Sequence, residues 1–188
     1  MKSHLNLKIV LERKSFPKFL QALNYHVDIK EWSETGGVFS LCRKILHNFA
    51  PDDVYDIGCG KRPTLALLMA LNYPFNVHAV DPQLDTSYAK AVSRLFLYNL
   101  GLRNFAAAGM PGSNKAMVLA NHAHVPAKDM SSFLSGFKEW VYVTVPCCID
   151  NRLASMPCVH YKDPHMHSEK NGVYVYSNVK PLLANLVS

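Results

Sequence analysis

A glycine-rich turn between two apolar segments constrains the fold of this chain more than any other feature. The apolar run at 54–57 leads into Gly58-Cys-Gly60, and a second apolar run at 75–80 ends at Asp81. This spacing predicts a buried strand, a tight turn, a helix and a second strand. Glycine lets the backbone approach a ligand closely, and a carboxylate at the end of the second strand can accept hydrogen bonds from ribose hydroxyls. The unit therefore indicates a nucleoside-binding site.

The rest of the chain continues this alternation of strands and helices. Further strands are predicted at 105–108, 116–120, 140–145 and 172–177, and helices at 38–49, 64–71, 86–100 and 128–137, with 178–187 as a strand or a helix. Most of these strands are apolar on both faces, which is typical of parallel strands covered by helices. The pattern predicts an α/β three-layer sandwich, with a mostly parallel sheet of about six or seven strands and helices on both faces.

The N-terminal segment is predicted to be a helical lead-in to a single domain that spans residues 1–188. Phe16 and Leu20 recur at helical spacing within residues 1–35, and Ser15 stands where a helix cap is expected. The Glu-Thr-Gly-Gly sequence at 34–37 predicts a break before the next helix. The lead-in could contact RNA, cover the ligand or dock a partner protein, and the sequence does not decide among these roles.

Composition limits the compartment and the class of partner. The chain has five cysteines, an odd number, and two of them are adjacent, which argues against a disulfide framework and indicates a reducing compartment, cytoplasm or nucleus. No apolar run reaches the roughly 20 residues of a membrane helix, so no membrane contact is expected. The formal net charge of +6 favours a polyanionic partner, RNA above all, although a mildly basic surface without a function would give the same value.

The glycine turn departs from the pattern of dinucleotide-binding proteins. Those proteins carry Gly-x-Gly-x-x-Gly, where the third glycine accompanies a pyrophosphate at the helix N-terminus. Pro63 occupies that third position here. The departure disfavours NAD and FAD and favours a nucleoside without a pyrophosphate, such as S-adenosylmethionine.

The turn and the acidic residue that follows it resemble the first motif and the following acidic position of class I methyltransferases. The resemblance covers about residues 38–148 and rests on Asp56-x-Gly58-x-Gly60 together with Asp81. It implies a Rossmann-like fold and S-adenosyl-L-methionine as the cofactor. It also implies that residues in three segments contact the methionine end, the ribose and the adenine of that cofactor. These residues are Asp56, Gly58, Cys59, Gly60, Asp81, Pro82, Gly109 and Met110.

Polar side chains follow the predicted strands at 116–120 and 140–145. Asn121 and His122 follow the first of these strands, whereas Cys147, Cys148 and Asp150 follow the second. The carboxyl ends of parallel strands meet at one edge of a sheet, so we expect these side chains to share a site. Histidine titrates near neutral pH and can serve as a general base, although a structural role at a strand end is also open. Asn121 would orient a ribose or the cofactor's amino group, and Asp150 would orient His122 or a substrate hydroxyl.

The two strand-end motifs resemble those of the eukaryotic tRNA uridine-2′-O-methyltransferases that modify serine tRNA. That family has Gly-Asn-His after its fourth strand and Leu-Pro-Cys-Cys after its fifth, matched here by Asn121-His122 and by Pro146-Cys-Cys148, while His124 stands where the family has an acidic residue. The resemblance implies methylation of a ribose 2′-hydroxyl in tRNA, or in viral or capped RNA. Two alternatives remain: a methyltransferase for a base, a cap guanine nitrogen or a small molecule, and a non-catalytic subunit that binds RNA or a partner enzyme.

The adjacent cysteines allow three interpretations. Two interpretations are packing near the cofactor and shaping of the acceptor pocket, and we assign Cys147 and Cys148 to substrate binding together with Lys162, a cation that could face RNA phosphates. They could also join a metal site with nearby cysteine and histidine residues, namely Cys158, His160, His165 and His167. That spacing matches no common zinc module, so no metal ligand is predicted.

Overall fold

The computed structural model describes residues 29–90, 92–109, 112–163, 166 and 172–187. The helices of this part of the chain are α1 (Ile29–Leu46), α2 (Thr64–Asn72), α3 (Leu102–Ala107), α4 (Ala127–Leu134) and α5 (Lys180–Val187), with a 3₁₀-helix at Thr86–Lys90. The strands are β1 (Asp53–Ile57), β2 (Asn76–Val80), β3 (Leu95–Tyr98), β4 (Lys115–Asn121), β5 (Glu139–Val145), β6 (Cys158–Lys162) and β7 (Gly172–Ser177).

The strands form one sheet in the order β3-β2-β1-β4-β5-β7-β6. Strands β1 to β5 are parallel to one another, whereas β7 runs antiparallel to both β5 and β6. The order of the parallel strands reverses between β1 and β4, and open α/β sheets bind ligands beyond the carboxyl ends of the strands at such a reversal. The sheet thus confirms the predicted mostly parallel architecture and places a crevice beside the glycine turn.

Helices cover both faces of the sheet, which confirms the predicted three layers. One face packs against side chains of α1, α2 and α5, including Phe39, Leu67 and Leu182. The other face packs against α3 and α4 through an aromatic cluster that includes Phe105 and Phe133. Burial of apolar side chains on both faces explains why the central strands are mostly apolar, although Asp56, His78 and Thr144 are buried polar exceptions.

The predicted break at 34–37 is wrong, because α1 continues through it from Ile29 to Leu46. Two adjacent glycines cost a helix up to about 2 kcal/mol relative to alanines. Trp32, Val38 and Phe39 are buried on this helix, and their burial in the core outweighs that cost. Residues 29–35 and the next predicted helix are therefore joined across the position where the sequence indicated a boundary.

Two further assignments around β3 are wrong. Leu95–Tyr98 is a strand paired with β2, within the stretch 86–100 that was predicted to be one helix. The stretch 105–108, predicted to be a strand, belongs largely to α3. In an apolar edge strand of four residues, the spacing of apolar residues does not distinguish a strand from a helix. Pairing with the neighbouring strand determines which of the two forms.

Apart from the start of α1, the other predicted elements lie within one to three residues of the observed ones, and β7 matches its prediction. The tail forms α5, one of its two predicted alternatives, whereas β6 was not predicted. The helix predicted around Phe16 lies outside the described residues. In the part of the chain that the structure describes, no helix is both long and apolar enough to span a membrane.

Candidate functional site

A cavity of about 570 Å³ opens at the carboxyl ends of the central strands. This volume falls in the range of about 300–1,000 Å³ typical of small-molecule sites. Its walls come from the residues that follow β1, β2, β3 and β4, including Gly58, Gly60, Asp81, Leu100, His122 and Val125. Arg103 on α3 and Asp129 on α4 also line it and form an ion pair at 2.9 Å. The cavity is therefore the crevice expected from the strand order.

The glycine turn forms the floor of this cavity, and both of its glycines have positive φ. Gly58 has φ 69° and Gly60 has φ 73°, a region that side chains other than glycine rarely adopt. A Cβ at Gly58 would also lie 2.6 Å from Ala123 Cβ, in the segment after β4. Gly58 N donates to Val80 O at 2.8 Å, which ties the turn to the end of β2. The turn therefore exposes main chain to a ligand at a point where no side chain fits.

Asp81 stands at the edge of the cavity, where the prediction placed it. Its Oδ2 accepts a hydrogen bond from Gly60 N at 2.9 Å, and its Oδ1 accepts one from Gln83 N at 2.7 Å. A carboxylate has about four acceptor positions, so positions remain for two ribose hydroxyls. Pro82 lines the cavity beside it.

Asp56 lies behind the turn and does not line the cavity. Its side chain is buried, and Oδ2 accepts a hydrogen bond from Ala66 N, in the first turn of α2, at 3.0 Å. Burial raises the pKa of Asp56 to about 7, and the nearby negative charge of Asp81 acts in the same direction. The structure thus gives Asp56 a role in fixing the turn against α2, not the direct contact with the methionine end that the resemblance implied.

Cys59 also points away from the cavity. Its side chain packs against the apolar core, and Sγ donates to Gly60 O at 3.7 Å. Burial raises the pKa of the Cys59 thiol, so the side chain stays neutral. Only the main chain of Cys59 remains available to a ligand.

The structure describes one of the two predicted adenine contacts. Gly109 follows α3 instead of a strand and does not line the cavity, and Met110 lies outside the described residues. The residues after β3 that line the cavity are Leu100, Gly101, Leu102, Arg103 and Asn104. The prediction did not name them because it took 105–108 as the third strand, whereas the third strand is Leu95–Tyr98.

His122 faces the cavity and lies beside a buried carboxylate. His122 has φ 57°, and its backbone N donates to Val145 O at 2.9 Å. Its Nε2 lies 3.2 Å from Glu34 Oε1, and Glu34 is 6% exposed on α1. The sequence interpretation missed Glu34 because it assigned 34–37 to a break. The sequence carried one signal for Glu34, namely an acidic residue close to apolar side chains. Acidic residues are rarely buried without a partner.

Asn121 and Asp150 differ in how well they meet their predictions. Asn121 ends β4, and its Oδ1 is buried without a hydrogen-bond partner among the described residues, so it can accept a bond from a ligand. Asp150, in contrast, is exposed and bonds to Arg152 through Nε at 2.8 Å and Nη2 at 2.7 Å. Those bonds lower the pKa of Asp150 to about 2. Asp150 therefore does not orient His122, and the carboxylate beside that ring is Glu34.

The adjacent cysteines lie near the cavity, whereas Cys158 and His160 do not join them. Cys147 Sγ donates to His122 O at 3.5 Å, and Cys148 Sγ lies 3.1 Å from His124 Nε2. Cys158 and His160 are on β6, and Lys162 is exposed at the end of the same strand. The remaining two candidates, His165 and His167, lie outside the described residues.

No protein-family model matches the sequence, and no curated protein matches it significantly. Solved structures do resemble the fold. A variant of MtNAS in complex with S-adenosylmethionine aligns with a TM-score of 0.56 at 13% identity, over 93% of this chain and 71% of the other.

Two further structures resemble the chain at similar levels. The N-methyltransferase NodS from Bradyrhizobium japonicum, in complex with S-adenosyl-L-homocysteine, gives a TM-score of 0.52 at 10% identity, over 94% of this chain and 97% of that one. A fibrillarin/Nop5p complex gives 0.51 at 10% identity, over 73% and 79%. At these identities the likeness concerns the fold alone. The chain has the Rossmann-like fold found in methyltransferases.

Proposed function

We propose that this protein is an S-adenosylmethionine-dependent RNA methyltransferase that acts on a ribose 2′-hydroxyl. The observation that carries the proposal is the position of His122, which faces the same cavity as Asp81 and is backed by the buried carboxylate of Glu34. The cavity thus combines a group that can bind a nucleoside with a group that can accept a proton.

The cavity has the features that a nucleoside cofactor needs. The Gly58–Gly60 main chain offers close approach, and Asp81 offers free acceptor positions for ribose hydroxyls. Apolar side chains of Val80, Leu102 and Val125 line the same space and can contact a base. S-adenosylmethionine, when bound, supplies an electrophilic methyl group. The complexes of MtNAS and NodS with this cofactor or its product agree with that choice.

His122 is proposed to accept the proton of the attacking hydroxyl. Glu34 Oε1 lies 3.2 Å from Nε2, and although the two atoms are not aligned as a hydrogen bond, the negative charge favours a proton on Nε2 and leaves Nδ1 as the acceptor. A ribose hydroxyl is a weak nucleophile, so removal of its proton during attack lowers the barrier. The buried Oδ1 of Asn121 can accept a bond from the cofactor or the ribose and fix its orientation.

The choice of RNA rests on two further observations. The Asn121-His122 and Pro146-Cys-Cys148 motifs resemble those of tRNA ribose methyltransferases and lie at the carboxyl ends of adjacent strands. The net charge of +6 also suits a polyanion. Neither observation distinguishes tRNA from capped or viral RNA.

Calorimetry with S-adenosylhomocysteine tests the cofactor half of the proposal. The wild-type protein should bind it, and Asp81→Asn should weaken binding by about 5- to 150-fold, the effect of losing about 1–3 kcal/mol of charged hydrogen bonding. Asp85→Asn is the matched control, because the Asp85 side chain accepts a bond from Ser87 N in its own turn and does not line the cavity. The absence of binding to the wild type at millimolar ligand would overturn the proposal.

Nucleoside mass spectrometry tests the acceptor. RNA incubated with the enzyme and cofactor should yield 2′-O-methyl nucleosides, and His122→Asn should abolish most of them. Methyl groups found only on bases would replace the ribose assignment with base methylation. Cofactor binding without any methylated RNA would favour a small-molecule methyltransferase or a non-catalytic subunit, and would contradict the proposal.

A further inference from the structure

We infer that His124, Cys147 and Cys148 form a binding site for a zinc ion at the edge of the cavity. The three ligand atoms, one nitrogen and two sulfurs, all lie within 4.8 Å of one another. This group differs from the set that the sequence suggested, because it draws its histidine from the end of β4. The inference does not depend on the proposed function.

The separations of the ligand atoms suit a tetrahedral ion. Zn–S bonds of about 2.3 Å and Zn–N bonds of about 2.0–2.1 Å place two sulfurs about 3.8 Å apart, and a sulfur and a nitrogen about 3.6 Å apart. The sulfurs of Cys147 and Cys148 are 3.5 Å apart, and Cys148 Sγ is 3.1 Å from His124 Nε2. Movements of these side chains by less than about 1 Å would therefore meet the geometry.

The fold brings these residues together from two strands. Strands β4 and β5 are parallel neighbours in register from Lys115 and Glu139 to Asn121 and Val145, so the segments after them leave the sheet side by side. Cys147 Sγ also lies 3.5 Å from His122 O, which holds the two segments close. The juxtaposition thus follows from the adjacency of the two strand ends.

The chemistry of the ligands selects the ion. Two thiolates and an imidazole suit zinc, whereas magnesium and calcium require oxygen ligands. On binding, each thiol releases its proton to solvent, and the two thiolate charges balance the charge of Zn²⁺. Cys148 and His124 are exposed, so the ion can enter from solvent.

Three protein ligands leave one coordination position for water or another ligand. His124 also lines the cavity, so this position lies at the cavity's edge. A bound ion would join the ends of β4 and β5 next to His122. It would thereby restrict the main chain that carries this histidine.

Metal analysis of untagged protein tests the inference, since a histidine tag would bind zinc itself. Protein stripped with a chelator, loaded with Zn²⁺ and dialysed should retain about one ion per chain. Cys148→Ser and His124→Ala should each reduce the retained zinc to background. Cys158→Ser is the matched control, because it makes the same substitution at an exposed cysteine on β6 and should leave the zinc content unchanged.

Cobalt substitution gives an independent readout on the wild-type protein. Co²⁺ bound by two thiolates should show the visible bands of tetrahedral cobalt and a near-ultraviolet thiolate charge-transfer band, so the test stands even where a variant fails to fold. Wild-type protein without zinc and without these bands would overturn the inference. Equal zinc loss in Cys158→Ser or in His160→Ala would overturn it as well, because the ion would then lie on β6.

Discussion

Asp56 is an ionisable side chain buried where β1 meets α2, and its burial couples the stability of the fold to pH. Burial raises the pKa of this carboxyl from 3.8 to about 7. Between these values the folded protein retains a proton that the unfolded chain has released. The free energy of unfolding therefore decreases as the pH rises from about 4 to about 7, and this contribution is lost above the folded-state pKa.

Replacement of Asp56 by asparagine should remove this pH dependence. The amide oxygen can still accept the hydrogen bond from Ala66 N, and the amide has no proton to release. Relative to the wild type, Asp56→Asn should gain a few kcal/mol between pH 5 and pH 8, since one pKa unit corresponds to about 1.4 kcal/mol. Urea unfolding at a series of pH values measures this difference.

Two properties of the chain allow the stability difference between Asp56→Asn and the wild type to be assigned to Asp56. Burial lowers the pKa of His78, and this shift makes the free energy of unfolding rise with pH, opposite to the effect of Asp56. His78 is present in both proteins, so its contribution cancels in the difference between their free energies of unfolding. Asp150→Asn is the control, because the pKa of this exposed carboxyl is lowered to about 2 and it does not titrate between pH 5 and pH 8. Parallel stability curves for Asp56→Asn and the wild type would contradict the assigned pKa.

Glu34 is a buried positioning residue in the proposed mechanism. Glu34→Gln keeps the shape of the side chain but removes the charge beside His122 Nε2, so the ring loses its preferred tautomer. We expect kcat to fall by at least about 10-fold, a part of the roughly 10²–10⁴ attributed to a general base, with KM for the cofactor unchanged. Steady-state methylation kinetics measure both constants.

Glu139→Gln provides the control for that measurement. Glu139 forms an exposed ion pair with Lys115 at the opposite end of the parallel strands. Surface pairs contribute little, so its loss should change neither constant. A fall in the melting temperature of Glu34→Gln without a fall in kcat would show a purely structural role for this carboxylate.

At the scale of elements, two adjacent glycines within α1 face different surroundings. A Cβ at Gly36 would meet no atom within 4 Å. A Cβ at Gly37 would lie 2.6 Å from Met166 Cε and 2.8 Å from Asp163 Oδ2. Gly37 is therefore a close-packing position between α1 and the segment after β6, whereas Gly36 only weakens the helix.

The two alanine substitutions should have different effects. Gly36→Ala should stabilise the protein by about 0.5–1 kcal/mol through helix propensity. Gly37→Ala should be less stable than Gly36→Ala by about 1–3 kcal/mol, because its methyl group must displace buried side chains. Thermal unfolding compares them directly, and equal melting temperatures would show that the packing at Gly37 adjusts without cost.

Elements with a strong local pattern were predictable from the sequence, and those defined by pairing were not. The strands at β1, β2, β4, β5 and β7 carry long β-branched or apolar runs that no helical pattern competes with. Leu95–Tyr98 becomes a strand only because Val77–Val80 lies beside it, and Cys158–Lys162 only because β7 does. Neighbours distant in sequence determined these two strands.

At the scale of the whole molecule, the same distinction applies to the site. Asp81, the glycine turn and His122 lie at strand ends and were located from the order of motifs. Glu34 approaches His122 from a helix far earlier in the chain, and His124 meets Cys148 from the neighbouring strand end. These contacts depend on the tertiary arrangement, which local patterns do not encode.

The assembly of the cavity from separate segments makes its ligand a stabiliser of the entire fold. Residues from 57 to 129 supply its walls, so the unfolded chain has no site to offer. A ligand that binds only the folded state at 100 times its dissociation constant adds about 2.7 kcal/mol. For a chain of this length we expect the melting temperature to rise by about 5–10 °C with S-adenosylhomocysteine. A thermal-shift screen of nucleosides would thus reveal the natural ligand before the reaction is known, and the absence of a shift with this compound would direct the search to other nucleosides.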